Sequence, residues 1–204
     1  MSASPPPPGD LDRVVDPFAL FAQWFAHARV HEINDPDAMS LASVDSDGLP
    51  DVRAVLCRGM GPDGLVFYTN SQSAKGQQLL AHPRAAALFY WKSLRRQARF
   101  RGAVSPVETA MSDAYFRARP RLSQVGAWAS DQSRPLDSRA TLEARAAEYE
   151  RRFGEGEIAR PAHWFGFRMV PDEIEFWADG AFRLHDRVRF TREPAGWTRQ
   201  RLYP

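Results

Sequence analysis

Cysteine, long apolar runs and lysine are all scarce in this chain of 204 residues, and two of these shortages exclude whole classes of protein. Cys57 is the only cysteine, so one chain cannot form an internal disulfide framework or a thiolate metal cluster. Within VLCR, Cys57 is predicted to lie in a buried strand. No apolar run approaches the ~20 residues of a membrane-spanning helix, and MSASPPPPGD lacks the features of a signal peptide. We therefore expect a cytoplasmic protein with no membrane partner.

Several motifs that mark common functions are also missing. There is no GxGxxG, P-loop or GxSxG sequence, which argues against Rossmann nucleotide binding, NTP hydrolysis and serine hydrolase chemistry. His27 and His31 have the i, i+4 spacing of metal ligands, but no HExxH motif or carboxylate partner accompanies them, so we expect no metal. The net charge of +2 is too small to indicate non-specific nucleic-acid binding, and RRQARFRG does not match RNP1.

The composition is that of one ordinary globular domain, since 44% of the residues are hydrophobic and 25% are charged. Residues 1–15 contain four consecutive prolines and predict a disordered lead, which leaves residues 16–204 as the single predicted domain. Asp16 and Pro17 supply a helix cap and a proline at the first helical position. Apolar residues at helical spacing then predict an amphipathic helix that ends near residue 32.

Short alternating runs between turns predict strands for much of the remaining chain. The predicted strands are residues 39–44, 51–58, 64–70, 85–91, 95–107, 163–170, 173–178, 182–190 and 196–203. Helices are predicted over residues 73–82, 107–129 and 137–153, and Pro120 must bend or restart the second of these. Many hairpin-linked strands with inserted helices predict a mainly β fold with helical additions (α+β), a closed or half-closed β-barrel.

One group of hydrogen-bond donors lies in residues 114–130, which contain three arginines and no acidic residue. Tyr115, Arg119 and Ser123 recur every four residues, so a continuous helix would place a phenol, a guanidinium and a hydroxyl on one face. These are the donors that a phosphate accepts from. The alternative is a solvated basic helix face without a ligand.

A second group of donors lies in the early strands and at the start of the short helix that follows them. Its members are Arg53, Arg58, Tyr68, Thr69, Ser73 and Lys75. Hydroxyls and a lysine at a helix start suit another phosphate, and Lys75 stands out because only two of the 27 cationic residues are lysines. The alternative is a set of surface polar residues at strand ends.

A third group follows Trp177 in the sequence WADGAFRLHDR. If residues 182–189 form a strand, Arg183, His185 and Arg187 share one face, with Asp186 on the other. Three cationic or titratable side chains in a row repel one another, which makes little sense for stability alone. We expect them to face an anionic or π-rich ligand, with His185 available as a hydrogen-bond acceptor or base.

These residues resemble a known family. RPRLSQVGAWAS with QS shortly after it, the EFW tryptophan and RLHDR are together similar to the pyridoxine (pyridoxamine) 5′-phosphate oxidases, and the resemblance runs from DPFALFAQW to the C-terminal RLYP. It implies a split β-barrel homodimer with FMN at each subunit interface. It also implies oxidation of pyridoxine or pyridoxamine 5′-phosphate to pyridoxal 5′-phosphate, with dioxygen as acceptor and hydrogen peroxide as product.

The resemblance also implies roles for individual residues. Implied cofactor-binding residues are Arg53, Val55, Leu56, Arg58, Tyr68, Thr69, Lys75, Gln97, Gln132, Ser133, Trp177 and Arg187. Implied substrate-binding residues are Arg58, Tyr115, Arg119, Ser123, Arg183 and His185. Arg183 and His185, which hold the pyridine ring against the flavin in the family, are the implied catalytic residues.

Three features depart from the family pattern. Arg58 stands where the family usually has a lysine, Ala74 replaces an arginine, and the N-terminal lead lacks the Arg and Tyr segment that covers the site in some members. Two alternatives therefore stay open. One is a related flavin oxidase of secondary metabolism, of the phenazine type, that acts on another ring. The other is a non-catalytic flavin-binding or nucleic-acid-binding protein.

Overall fold

The computed structural model describes residue 11 and residues 13–204, and this part of the chain contains five α-helices and nine strands. The helices are α1 (Pro17–His31), α2 (Ala74–Ala81), α3 (Thr109–Arg117), α4 (Arg121–Ala129) and α5 (Arg139–Phe153). The strands are β1 (Ala38–Val44), β2 (Pro50–Leu56), β3 (Gly59–Gly61), β4 (Gly64–Asn70), β5 (Arg84–Trp91), β6 (Arg96–Pro106), β7 (Trp164–Ala178), β8 (Asp186–Glu193) and β9 (Gly196–Arg201). None of the helices described is long and apolar enough to cross a membrane.

The strands form one antiparallel sheet in the order β2-β1-β5-β6-β7-β4-β3, and β8 and β9 continue from the C-terminal half of β7. The sheet curls, because β2 contacts β4 and the Arg58 N–H donates to the Val66 carbonyl across 2.7 Å. The exposed 3₁₀ turn Ala181–Arg183 precedes β8. The prediction of a mainly β barrel with helical additions is confirmed.

The first helix fills the interior of this curled sheet. Asp16 caps it by accepting a hydrogen bond from the Phe18 N–H at 2.8 Å, and Pro17 occupies its first turn as predicted. Phe21 then packs against the rings of Phe89 and Phe100, with centroids 5.0 and 4.8 Å away. Burial of these aromatic rings is what ties α1 to the sheet.

Packing against the core begins within the segment predicted as a lead. Residues 1–10 and 12 lie outside the described residues, but Leu11 is buried and accepts a hydrogen bond on its carbonyl from Arg199 at 3.0 Å. Val14 also packs against the core. Leu11 and Val14 thus contact the core, although both belong to the segment predicted as a disordered lead.

Two predicted strands, residues 163–170 and 173–178, are in fact the single strand β7 of 15 residues. Pro171 and Asp172 lie between the two predicted runs. The register between β6 and β7 shifts at Arg101 and Gly102, so Asp172 is an extra residue opposite no partner. Such a bulge accommodates a proline that the regular ladder excludes, and the strand continues through it.

Cys57 is buried as predicted, but it lies in the link between β2 and β3 and not in a strand. Its thiol donates to the Gly59 carbonyl at 3.2 Å, because the strand ends at Leu56 and the chain turns here. Burial raises the pKa of the Cys57 thiol to about 11. The thiol therefore stays protonated at neutral pH and is a packing residue.

Candidate active site

A cavity of about 750 Å³ lies between β2, β4, the start of α2 and the α3–α4 pair, and we call it the main cavity. It brings together ten of the residues singled out from the sequence. These are Val55, Leu56, Arg58, Tyr68, Thr69, Lys75, Tyr115, Arg119, Ser123 and Gln132. Two groups of donors that lie far apart in the sequence, one in the strands and one in the helices, thus face the same space.

Lys75 forms the first positive corner of the main cavity. Its Nζ lies 3.1 Å from Gln132 Oε1 and 3.4 Å from Thr69 Oγ1, and none of the described carboxylates lies within hydrogen-bond distance of it. Lys75 stands in the first turn of α2, whose cap, Ser73, accepts from the Gly76 N–H at 3.2 Å. Burial, aided by the charge of Arg53, lowers the pKa of Lys75 below its ordinary value. A desolvated cation at a helix start is a favourable place for a phosphate.

Arg119 forms the second positive corner. Its guanidinium carbon lies 4.6 Å from the centre of the Trp164 ring, and its Nη1 is buried without a hydrogen-bond partner in the described structure. Burial lowers the pKa of Arg119, although the group stays charged at neutral pH. The two neighbouring arginines are engaged elsewhere, since Arg117 pairs with Glu157 at 3.1 Å and Arg121 donates to the Gly156 carbonyl at 2.8 Å.

Tyr115, Arg119 and Ser123 meet in the main cavity, but not on one helical face as predicted. The helix predicted over residues 107–129 is broken at Pro120 into α3 and α4, and Arg119 lies in the break. The Gln124 side chain holds this geometry by donating to the Arg119 carbonyl at 2.9 Å. The break at Pro120 therefore allows α3 and α4 to supply hydrogen-bond donors to the main cavity from two directions, which one straight helix would not do.

Tyr68 and Tyr115 form an aromatic wall between the two positive corners. Their rings stack with centroids 4.0 Å apart and planes 12° from parallel, and Trp164 continues the stack. Burial raises the pKa of Tyr68, and the neighbouring Tyr115 adds to this rise. The Tyr68 phenol thus stays protonated at neutral pH and is able to donate a hydrogen bond.

Arg53 and Arg58 behave differently from each other. Arg58 lines the main cavity while its Nη1 donates to Asp37 at 2.6 Å, so half of its fork is occupied. Arg53 lies outside the cavity lining and binds Ser43 Oγ and Gln78 Oε1, the latter at 2.9 Å. Arg53 is also paired with Asp51, and its charge helps to lower the pKa of Lys75.

A second, smaller pocket of about 220 Å³ lies on the outer face of β6, β7 and β8, and we call it the strand-face pocket. Gln97, Trp177 and Arg187 form one row across these three strands. Buried Glu175 accepts hydrogen bonds from Arg187 Nη2 at 2.7 Å and from Arg99. The sequence did not single out Glu175, although its alternation with Trp177 in EIEFWA placed both on one face.

Arg183 and His185 do not lie in a strand, which corrects the prediction for residues 182–190. Phe182 and Arg183 have φ of +58° and +65°, so the chain turns through left-handed conformations before β8 begins at Asp186. Arg183 is exposed, whereas the His185 ring lies 4.7 Å from that of Trp177. The Gly180 N–H donates to His185 Nδ1 at 3.2 Å, leaving Nε2 available to a ligand. The turn thus places His185 beside the strand-face pocket.

The two pockets are far apart within one chain. Tyr68 pairs with Gly166 near the start of β7, and Trp177 lies near its end, which is about 35 Å of strand at 3.3 Å per residue. Ser133, in a turn with φ of +71°, lines neither pocket. Trp164 was missed by sequence reasoning, because a tryptophan at the start of a strand predicts core packing. Among the described residues, no cluster of three or more metal-ligating side chains occurs.

Two family models match the chain and together span most of it. Residues 25–153 match the model described as pyridoxamine 5′-phosphate oxidase. The chain belongs to this family. Residues 164–204 match a model described as the pyridoxine 5′-phosphate oxidase C-terminal dimerisation region, which includes every residue of β7, β8 and β9.

Curated relatives agree with this assignment. The pyridoxine/pyridoxamine 5′-phosphate oxidase of Caulobacter vibrioides is 57% identical over 202 residues, covering 99% of this chain and 90% of the relative. That of Rhizobium etli is 55% identical over 206 residues and covers 100% of both chains. The chain is therefore an enzyme, an oxidoreductase of the pyridoxamine 5′-phosphate oxidase family.

Solved structures show the same fold. PhzG from Burkholderia lata 383, in complex with tetrahydrophenazine-1-carboxylic acid, matches with a TM-score of 0.89 at 33% identity over 95% of each chain. A pyridoxamine 5′-phosphate oxidase-related, FMN-binding protein from Nostoc punctiforme matches with a TM-score of 0.73 at 18% identity, over 93% of this chain and 98% of that one. The curled sheet with its five helices is the split barrel that the resemblance predicted.

Proposed function

We propose that the protein is an FMN-dependent oxidase that converts pyridoxine 5′-phosphate or pyridoxamine 5′-phosphate to pyridoxal 5′-phosphate. The observation that carries this proposal is the presence of two separate positive corners, Lys75 and Arg119, in one cavity. Each suits one phosphate, and this reaction brings together two phosphorylated molecules, the cofactor and the substrate. Bound FMN would accept a hydride and then pass the electrons to dioxygen, which yields hydrogen peroxide.

Lys75 would hold the FMN phosphate together with the hydroxyl of Thr69 and the first turn of α2. Gln132, within 3.1 Å of Lys75 Nζ, keeps the amine aimed into the cavity. The remaining flavin-binding residues that we propose are Arg53, Val55, Leu56, Arg58, Tyr68, Gln97, Gln132, Ser133, Trp177 and Arg187. Ala74 offers no guanidinium where the family usually has one, so Lys75 supplies the charge at this helix start.

Arg119 would bind the substrate phosphate with the hydroxyls of Tyr115 and Ser123. Its Nη1 is buried without a partner among the described residues, which supports this role, because a buried donor without a partner is costly unless a ligand satisfies it. Arg58, with half of its fork free of Asp37, lies on the same cavity lining. The substrate phosphate fixes the position of the ring, and correct placement of the reacting carbon is a large part of catalysis.

Arg183 and His185 would cover the pyridine ring of the substrate from the partner subunit. The strand-face pocket lies about 35 Å along β7 from the main cavity, so one chain does not bring both sets of residues to one flavin. In a homodimer, the main cavity of one subunit would meet the strand-face pocket of the other. The match of residues 164–204 to a dimerisation region supports this arrangement. His185 would then donate a hydrogen bond from Nε2 to a substituent of the pyridine, because its Nδ1 accepts from the Gly180 N–H.

A second candidate, oxidation of an unphosphorylated ring, is favoured by the likeness to PhzG. The two candidates differ in their need for Arg119. We expect purified protein to be a yellow dimer by light scattering, and its absorbance to bleach when pyridoxine 5′-phosphate is added without air. Unphosphorylated pyridoxine should be a poor reductant of the flavin. Equal bleaching by both compounds, or a colourless monomer that takes up no FMN, would reject the proposal.

A further inference from the structure

Most arginines around the main cavity are held by oxygen atoms. Arg58 binds Asp37 at 2.6 Å, Arg117 binds Glu157 at 3.1 Å, and Arg160 binds Asp113 at 2.6 Å. A carboxylate fixes a guanidinium well, but it also occupies N–H groups and cancels charge. An arginine held in this way is poorly prepared to receive a second anion.

Arg119 is held by aromatic rings instead. Its guanidinium lies over Trp164 at 4.6 Å and over Phe116 at 5.8 Å, while its Nη1 stays without a hydrogen-bond partner in the described structure. The face of an aromatic ring attracts a cation without accepting its N–H groups and without neutralising it. This arrangement holds the Arg119 guanidinium without a carboxylate partner among the described residues, so its charge is not neutralised by an ion pair.

Trp164 is itself fixed in place. It is 7% exposed, and its ring packs edge-on against Phe116 at 5.2 Å. Its carbonyl accepts a hydrogen bond from Arg160 Nη1 at 2.7 Å, and Arg160 is in turn anchored to Asp113 of α3. The ring that supports Arg119 is thus tied by its own backbone to the helix that carries Tyr115.

We propose that Trp164 is the positioning residue that holds Arg119 ready for the substrate phosphate, an inference that rests on the proposed function. Trp164 acts through Arg119 and not on the reacting atoms. Its effect should therefore appear in the KM for phosphorylated substrate and in the affinity for phosphate, and leave kcat nearly unchanged.

The test compares Trp164→Phe and Trp164→Leu with the unaltered enzyme. We expect the KM for pyridoxine 5′-phosphate to rise about 2- to 3-fold in Trp164→Phe, which keeps a weaker aromatic face, and about 5- to 10-fold in Trp164→Leu. The KM for unphosphorylated pyridoxine should stay the same. Trp128→Phe is the matched control, because Trp128 packs on Tyr149 of α5 outside the cavity lining.

A double-mutant cycle separates positioning from a general structural role. In an Arg119→Ala background, Trp164→Leu should raise KM by a smaller factor than it does alone, because the cation on which its ring acts is gone and only its stacking with Tyr115 remains. An additive rise, an equal rise for both substrates, or an unchanged KM in Trp164→Phe would overturn the proposal. If Trp164→Leu does not fold, the Trp164→Phe result decides.

A binding measurement keeps this inference distinct from the proposed function. Calorimetry with inorganic phosphate should show an affinity component that Arg119→Ala removes and that Trp164→Phe weakens. Failure of the enzyme to oxidise pyridoxine 5′-phosphate would reject the proposed function, but that phosphate result would still support the role of Trp164. Phosphate binding that Trp164→Phe leaves unchanged would reject the role of Trp164 whatever the enzyme oxidises.

Discussion

The carboxylate of Glu175 holds the two arginines of the strand-face pocket, Arg99 and Arg187, in place. It is buried, and it accepts hydrogen bonds from Arg187 at 2.7 and 3.0 Å and from Arg99. Replacing it by glutamine keeps the shape but removes the charge. Two guanidiniums then face each other across a site that no longer attracts either of them.

The size of the effect follows from burial. At an effective dielectric constant near 20, each short ion pair contributes about 4 kcal/mol before desolvation, and breaking a fully buried pair costs about 3–5 kcal/mol. Arg99 and Arg187 are 43% and 28% exposed, so water recovers part of their solvation after the change. We expect Glu175→Gln to lower the free energy of unfolding by about 2–3 kcal/mol, or Tm by roughly 4–12 °C.

Thermal unfolding followed by circular dichroism measures this loss, and Glu173→Gln is the matched control. Glu173 lies two residues away on the same face, but its nearest arginine nitrogen is 3.6 Å from it, beyond a hydrogen bond. The control should lose less than about 1 kcal/mol. If both variants unfold at the same temperature, the stability of the pocket does not depend on the Glu175 pairs and the reasoning is wrong.

Three further predictions concern the main cavity and the turn before β8. Burial lowers the pKa of Lys75, so FMN affinity, measured by fluorescence titration between about pH 7 and pH 10, should begin to fall at a lower pH than an ordinary lysine would cause. Lys75→Arg should keep FMN affinity constant over this range, because arginine stays charged. Stability of the FMN-free protein should rise through that window, since the unfolded lysine keeps its proton longer. Gly76→Ala places a Cβ 2.5 Å from backbone atoms and should cost about 1–3 kcal/mol in urea unfolding, whereas Gly126→Ala meets nothing within 4 Å and should be neutral or stabilising. Arg187→Ala should lose FMN on gel filtration, whereas His185→Ala should keep FMN and slow its anaerobic reduction in stopped flow. The reverse pattern would exchange these two roles.

Local signals predicted most of the elements of the fold. Asp16 and Pro17 marked the start of α1, and Pro120 marked the break between α3 and α4. Both were predictable because a helix cap and a proline act on the backbone within one turn of helix. Prediction failed where contacts between residues far apart in the sequence determine the local structure. Two strands were predicted on either side of Pro171, but pairing with β6 carries β7 through a bulge at that point. Leu11 is ordered by a hydrogen bond to Arg199, which lies at the other end of the chain.

Within the candidate site, residue type predicted more than spacing did. Lys75, Arg119 and Tyr115 were all singled out by residue type, but they face one cavity where the sequence suggested separate phosphate sites. The helical alignment proposed for Arg119 and Tyr115 does not exist. The alternation in RLHDR failed for a backbone reason, since Arg183 adopts a positive φ that a regular strand excludes. Trp164 gave no polar signal, because its contribution lies in the face of its ring.

The continuity of β7 has a consequence for where the chain accepts insertions. One strand carries Trp164 at the main cavity and Trp177 at the strand-face pocket, so its length fixes the spacing between them. One residue added before Glu175 would turn Glu175 and Trp177 toward the core and Phe176 outward. The hairpin between β8 and β9 has no such constraint, since Gly196 turns in open space with φ of +133°. A peptide tag or reporter loop therefore belongs in that hairpin, where it leaves both pockets at their present separation.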